Sequence, residues 1–352
     1  MIPGGSALFT RFPDLRNRLP WTPLATLPTP VDVWPPSATL PGGLFVKRDD
    51  LTSALYGGNK IRKFEFALAL ARERGARALV TLGGLGTNQG LALALHGRAA
   101  GFAVEVSLAP QPITAAVRDN LRGLLAAGAT LRFARTGVGS LWGAWRAVRA
   151  RRAAGEHPCF IPAGASTPLT TLGYVAAALE LAAQIERGVL PVPDRIFVAA
   201  GTCGTAAGLI AGCKLARLPT RVTAVRVFDA FRANRRTITG LARRALALLR
   251  SVEPGIPDVS VTASDFDFLT GFLGRGYGDP TPAAQAAVAW AAPRLLLETT
   301  YTGKTMAACL AQVSRAGAGP VLFWNTFNSA PFPQSSDLDI LPGALRRALT
   351  DL

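Results

Sequence analysis

Lysine is scarce in this chain. Of its 38 basic lysine and arginine residues, only Lys47, Lys60, Lys63, Lys214 and Lys304 are lysines. Arginine cannot lose its proton to become a nucleophile. Any chemistry that needs a free amine therefore falls on one of those few side chains. Histidine is scarcer still, with only His96 and His157. Cys159, Cys203, Cys213 and Cys309 show no CxxC and no paired spacing. So few histidines and such scattered thiols argue against a zinc centre, and no metal site is expected. The thiols read as reduced, which places the protein in the cytoplasm. No apolar run of about 18 residues is free of charges and glycine breaks, so no membrane span is expected. The start, "MIPGGSALFTRF", has no basic segment followed by an apolar core, and is not a signal peptide.

What is present supports a large folded protein. The chain has 352 residues, 49% hydrophobic and 17% charged, enough for a sizeable core split into two lobes. Its formal charge of +16 raises the question of nucleic acid. The arginines are scattered, however, with the densest cluster at Arg146, Arg149, Arg151 and Arg152. No helix-turn-helix or RNA-binding signature accompanies them, so no specific nucleic-acid partner is expected. The first forty or so residues are rich in proline and read as an extended leader without regular structure. After it, strands and helices alternate. "GLFVKRDD", "ALVTLGG", "AVEVSLA", "ATLRFA", "CFIPAG", "RIFVAAG", "RVTAVRVFDA" and "PVLFWN" read as strands. Helices are expected at 60–74, 87–100, 113–127, 141–154, 171–187, 205–215, after "RVTAVRVFDA" with Arg232, Arg235 and Arg236 on it, and at 302–316. Apolar strands alternating with helices predict an α/β fold with mostly parallel sheets.

Four stretches carry candidate chemistry. In "LYGGNKIRKFEF", Lys60 stands at a loop-to-helix junction behind Gly57 and Gly58, which let backbone approach a flat ligand. A buried amine there is suited to a Schiff base with pyridoxal phosphate; the alternative is an ordinary lysine beside a turn. In "VAAGTCGTAAGLIAG", a buried strand ends in Gly201, Gly204 and Gly208 as a helix begins, which suits a phosphate; the alternative is a tight turn with small residues for helix–strand packing. The pattern is neither G-x-G-x-x-G nor a P-loop, so it argues against a dinucleotide or a nucleoside triphosphate. In "TLGGLGTNQG", Thr87, Asn88 and Gln89 start a helix and can receive a substrate carboxylate; Thr87 can equally be a plain N-cap. Tyr277 and Tyr301 lie in the glycine-containing loops of "GRGYGDPTP" and "LLETTYTGKTMAACL", as a substrate clamp, an acid/base pair or simple packing.

Taken in order, "VKRDD", "GGNKIRKFEF", "GGLGTNQG", "IPAGASTPLTTLGY", "GTCGTAAG", "GYGDPTP", "YTGKTM" and "VLFWNT" resemble the D-cysteine desulfhydrase and aminocyclopropane-carboxylate deaminase family. The likeness runs over roughly residues 20 to 330. It implies a pyridoxal-phosphate enzyme of the tryptophan-synthase-beta fold. It implies a discontinuous large domain, 1–60 and 181–352, and a small domain, 61–180, whose closure excludes water. Lys60 would then be the Schiff-base lysine and the base that removes the substrate α proton. Asn88 would bond the cofactor's ring hydroxyl, and Gly201, Thr202, Cys203, Gly204 and Thr205 would hold its phosphate. Thr87 and Gln89 would meet the substrate carboxylate, and Tyr277 and Tyr301 would flank the substrate. Thr326 would face the pyridine nitrogen, where a neutral hydroxyl leaves the ring less protonated and favours elimination over transamination. A homodimer is a further implication.

The chain departs from the family pattern at four places. Gly86 and Thr87 stand where Gln and Ser are usual, which enlarges or rewires the carboxylate end. Cys203 replaces a glycine of the phosphate loop. Asn325, Thr326, Phe327 and Asn328 replace His-Thr-Gly-Gly. Asparagine accepts a positive φ in place of glycine and phenylalanine does so only at a cost, so a reshaped pocket is expected beside the ring. Thr302 stands where deaminases carry glutamate, as in the desulfhydrase branch. The expected reaction is α,β-elimination on a small amino acid such as D-cysteine, giving pyruvate, ammonia and sulfide. Deamination of the cyclopropane substrate, racemisation, β-replacement, or ligand binding without turnover are the alternatives.

Overall fold

The computed structural model describes residues 5–36, 43–313, 319–337, 339, 341, 343, 345 and 346. Among these, the strands are β1 (Val31–Trp34), β2 (Leu44–Arg48), β3 (Ala78–Gly84), β4 (Ala103–Ala109), β5 (Thr130–Phe133), β6 (Pro158–Ile161), β7 (Arg195–Ala200), β8 (Arg221–Arg226), β9 (Phe266–Leu269) and β10 (Val321–Asn325). The helices are α1 (Ala7–Arg11), α2 (Lys60–Glu73), α3 (Asn88–Ala99), α4 (Ala115–Ala126), α5 (Gly137–Ala153), α6 (Pro168–Glu186), α7 (Gly204–Leu215), α8 (Arg235–Val252), α9 (Pro282–Ala291) and α10 (Thr302–Val313). The expected continuation of α10 to Ala316 lies outside the described residues.

The chain forms two compact units. Unit 1 comprises Met1–Ser53, Gly57–Ala67 and Gly164–Ser329; unit 2 comprises Ala54–Tyr56, Leu68–Ala163 and Ala330–Leu352. These bounds differ from a 61–180 small domain at both ends. Residues 61–67 and 164–180 group with unit 1, where Arg62 of α2 and Glu180 of α6 are 2.9 Å apart in a buried ion pair.

Unit 1 holds a six-stranded sheet in the order β1-β2-β10-β7-β8-β9. Only β1 runs antiparallel to its neighbour; the other pairs are parallel. The parallel strands are apolar because helices cover both faces. One face packs on α6, α7 and α8 through residues such as Leu172, Val175, Leu209 and Leu246. The other packs on α9 and α10 through Ala287, Met306 and Cys309. Small residues bring α6 and α7 together: a Cβ at Gly208 would lie 2.4 Å from the Tyr174 Cβ, and one at Gly212 would lie 2.6 Å from the Ala178 Cβ.

Unit 2 holds a parallel four-stranded sheet, β5-β4-β3-β6. Threonine hydroxyls start its helices: Thr87 accepts from the Gly90 amide, Thr114 from Val117 and Thr136 from Gly139. This is the capping expected of that residue type.

The proline-rich leader differs from the expectation of no regular structure. Ala7–Arg11 forms a turn and a half of helix, and Val31–Trp34 pairs with β2, Val31 opposite Lys47. An edge position spares β1 the ladder bonds on one side, so flanking prolines are tolerated there.

Candidate active site

Three neighbouring parallel strands of unit 1 end side by side and deliver the candidate residues. Strand β10 lies between β2 and β7, with Asn325 opposite Arg48 and Phe323 opposite Phe197. Beyond β2 the chain turns through Asp49–Leu51 towards Lys60, beyond β10 comes Thr326, and beyond β7 comes the loop Gly201–Thr205. The carboxyl ends of parallel strands are where such sheets place ligands.

The glycine pair before Lys60 is a matter of space. A Cβ at Gly57 would lie 2.0 Å from the Asp50 carbonyl oxygen. Gly58 has φ +92°, and a Cβ there would lie 2.8 Å from the Phe327 oxygen. The segment is pinned on both sides: the Gly58 amide donates to the Asp49 oxygen at 2.9 Å and the Asn59 amide to the Thr326 oxygen at 3.2 Å. The Gly57 amide donates to Asn328 Oδ1 at 2.6 Å. Neither Phe327 nor Asn328 takes a positive φ, so the cost expected of that replacement does not arise; the glycine-like conformation lies at Gly58 instead. Cys203 does adopt it, with φ +70°, in the phosphate loop.

The lysines separate by their partners. Lys47 is buried and donates to Glu180, Gln184 and the Thr29 carbonyl. Lys214 pairs with Asp265, and Lys304 donates to the Leu273 carbonyl. Among the described residues, Lys60 Nζ donates only to Asn59 Oδ1, at 2.7 Å. The surrounding protein strips water from the Lys60 ammonium and pushes its pKa down to about 8, against the raising field of Glu298. The neutral, nucleophilic amine is then about a tenth of the population at pH 7, far more than at the ordinary lysine value.

Lys63, one turn after Lys60, is the residue that sequence reasoning passed over. Its amine is buried and donates to the Gly164 oxygen at 3.0 Å and to Ser166 Oγ at 3.3 Å. Ser166 Oγ in turn lies 2.8 Å from Thr202 Oγ1. A Cβ at Gly204 would lie 2.9 Å from Lys63 Nζ, so the amine lies at the start of α7. That helix start has no side-chain cap. An amine and a helix N-terminus, both suited to an anion, thus face each other. Burial, and next the charge of Lys60, push the Lys63 pKa well below its ordinary value. A bound dianion reverses that penalty, so the cradle fits a phosphate group. Asn59 ties the two lysines' surroundings together, donating from Nδ2 to Thr205 Oγ1 at 3.0 Å. The sequence "KIRK" puts the two lysines on one helix face, but does not by itself tell Lys63 from a solvated lysine.

Tyr277 and Tyr301 meet in the same unit, their hydroxyls 2.5 Å apart. A Cβ at Gly201 would lie 3.4 Å from Tyr301 Cε1, so the pair borders the phosphate loop. Burial pushes Tyr277 up to about 12 and Tyr301 well above the ordinary tyrosine value, so both hydroxyls keep their protons. Glu298 fixes Tyr301 by accepting its amide at 2.8 Å and also holds Thr302. The Thr302 hydroxyl is therefore committed to Glu298.

In unit 2, Thr87, Asn88 and Gln89 start α3, and each of their side chains already has a partner. The Thr87 hydroxyl caps the helix, and Gln89 Nε2 donates to Thr81 Oγ1 at 2.8 Å and to the Pro162 oxygen at 2.9 Å. Asn88 Oδ1 accepts from Asn120 Nδ2 at 2.6 Å. At Gly86 a Cβ would lie 2.6 Å from Val117 Cγ2, so Val117 fills the space expected to be enlarged.

A family model described as "Pyridoxal-phosphate dependent enzyme" matches residues 22–326. The chain belongs to that family, and its cofactor is pyridoxal phosphate. It is 37% identical to the nocardicin C-9' epimerase of Nocardia uniformis subsp. tsuyamanensis, over 88% of this chain and 92% of that one. It is 32% identical to the D-cysteine desulfhydrase of Salmonella paratyphi A, over 90% of this chain and 94% of that one. Among solved structures, an aminocyclopropane-carboxylate deaminase homologue superposes with a TM-score of 0.78 at 26% identity, covering 94% of this chain and 96% of that one. The fold is thus the tryptophan-synthase-beta type, and the relatives include lyases over most of its length. No helix among the described residues is long and apolar enough to cross a membrane.

Proposed function

We propose that the chain is a pyridoxal-phosphate-dependent lyase acting on a small amino acid, with D-cysteine as the reference substrate. The observation that carries this reading is Lys60: a lowered-pKa amine on the same helix as Lys63, whose own amine lies at the start of α7. Lys60 holds the cofactor through its amine. Lys63, Ser166, Thr202 and the amides at the start of α7, after Cys203, hold its phosphate. Thr326 serves the pyridine nitrogen and Asn88 the ring hydroxyl. The cofactor, when bound, supplies an electron sink for the bond broken at the α carbon.

Lys60 Nζ, once the substrate's amine has displaced it, would take the α proton as the Cβ–S bond breaks and sulfide leaves with the bonding pair. Water completes the release of pyruvate and ammonia. The Tyr277 and Tyr301 hydroxyls, both protonated, stand beside the phosphate loop as donors to the leaving group. The deaminase reading is less favoured, because Thr302 brings no carboxylate and its hydroxyl is bound to Glu298. We further propose a cytoplasmic homodimer, on the strength of the family resemblance.

Epimerisation is the second reading, favoured by the 37% identical epimerase. The experiment is to supply D- and L-cysteine and other small amino acids to the holoenzyme and follow pyruvate, sulfide and optical rotation together. Pyruvate and sulfide in equal amounts support elimination. Loss of rotation without pyruvate overturns it in favour of epimerisation.

A further inference from the structure

Strand β6 stands at one edge of the unit 2 sheet, paired with β3 alone. A cavity of about 650 Å³ opens beside it, and its walls include Arg74, Arg152, Glu156, His157, Cys159 and Phe160. Small-molecule sites commonly measure about 300–1,000 Å³. The cavity lies at the amino end of the sheet, where Pro158 is opposite Ala78. Gly84 and the start of α3 follow the other end of β3, so the cavity is separate from the residues considered above.

The charges lining it do not cancel. Glu156 is committed elsewhere: its carboxylate pairs with Arg151 at 2.6 Å, and Arg151 and Arg132 share Glu105. Arg74 follows the last residue of α2, and Arg152 lies in the last turn of α5. Neither side chain, nor that of His157, has a hydrogen bond or ion pair among the described residues. Arg98, near the end of α3, shows the contrast, since it donates to the Ala127 oxygen at 2.8 Å. The charge of Arg74 reaches the cavity wall, where it opposes the rise that burial gives the Cys159 pKa. One guanidinium edge is enough to fill a carboxylate. Two guanidiniums from different helices, with an imidazole beside them, suit a group with three oxygens and a second negative charge, which a phosphate monoester has. On the same wall Phe160 is exposed, and its ring offers apolar area to a flat body.

We propose that this cavity binds a phosphate monoester bearing an aromatic ring, its phosphate between Arg74 and Arg152 and its ring against Phe160. The site is built from unit 2 alone and does not depend on the reaction proposed above. The free cofactor belongs to this chemical class, and so do nucleotides.

The test uses holoenzyme reduced with borohydride, so that the cofactor site is filled, and reads binding by equilibrium dialysis. The probes are phenyl phosphate, inorganic phosphate and phenol. Phenyl phosphate is expected to bind more tightly than inorganic phosphate, and phenol not to bind. Arg74→Gln and Arg152→Gln are each expected to weaken phenyl phosphate about tenfold or more, the weight of a charge-assisted hydrogen bond. Both arginines are exposed, so neither change removes a buried contact. Phe160→Ala is expected to weaken phenyl phosphate and leave inorganic phosphate unchanged. Arg135→Gln, which removes an exposed charge outside the cavity, is expected to leave both unchanged. Displacement of phenyl phosphate by pyridoxine phosphate or by adenosine monophosphate then tells a cofactor-like source from a nucleotide. The inference is overturned if phenyl phosphate shows no saturable binding, if the two arginine variants bind it as wild type does, or if Arg135→Gln weakens it equally.

Discussion

Lys60 owes its reactivity to two opposing influences, removal of water and the field of Glu298. Burial wins, and the pKa stands at about 8. Labelling of Lys60 in the cofactor-free protein by trinitrobenzenesulfonate, followed by peptide mapping, is expected to rise with pH and reach half its maximum near 8. Glu298→Gln removes the influence that favours the ammonium, so the midpoint moves lower; an upward move contradicts the assignment. Much of this was legible in the sequence, since a rare lysine behind a glycine pair at a helix start marks itself. Its neighbour was not. Nothing local distinguishes Lys63 from a solvated lysine; only the fold brings Gly164, Ser166 and Gly204 around its amine. Thr87 and Gln89 are the opposite case. Their types suit a carboxylate, but a hydroxyl at an N-cap and an amide above β3 find partners at home.

At the scale of elements, the strand–loop–helix unit of β7 and α7 is the part most exposed to a small change. Gly204→Ala puts a methyl 2.5 Å from Ser166 Oγ and 2.9 Å from Lys63 Nζ. The amine must move from the helix start, so cofactor affinity measured by equilibrium dialysis is expected to fall about tenfold or more, roughly the weight of one charge-assisted hydrogen bond. Far-ultraviolet circular dichroism should be unchanged. Wild-type affinity would show that the cradle does not hold the phosphate. The parallel strands were readable as apolar runs between glycine turns. Strands β1 and β9 and helix α9 were not. The first follows a run of prolines, and Phe266–Leu269 is too short for a period, so their structure comes from the sheet edges they join.

Across the whole molecule, a buried polar network secures the segment that carries Lys60. Arg62 pairs with Asp49 at 2.8 Å and with Glu180 at 2.9 Å, while Tyr174 and Trp324 donate to Asp49 at 2.7 and 2.8 Å. Arg62→Leu strands two buried carboxylates and is expected to cost about 3–5 kcal/mol in chemical denaturation. A loss under 1 kcal/mol would show that the network does not hold the fold. The leader adds a pH-dependent tie. Glu65 Oε1 accepts the Leu24 and Ala25 amides at 3.2 Å, and burial raises its pKa to about 7. The folded state therefore binds this proton more tightly than the unfolded one. The stability it contributes is full below the unfolded value of 4.5 and is lost as pH rises through about 7. Glu65→Gln should lower this loss, so that its Tm relative to wild type is higher at pH 8 than at pH 5. An equal difference at both would contradict the linkage.

The central claim is that Lys60 carries the cofactor, and it is tested most directly by loading the protein with pyridoxal phosphate, reducing it with borohydride and mapping the modified peptide. The account predicts an absorption band at the edge of the visible, lost on reduction, and a pyridoxyl group on Lys60 alone. An adduct on Lys47, Lys63, Lys214 or Lys304, or no adduct at all, would contradict it.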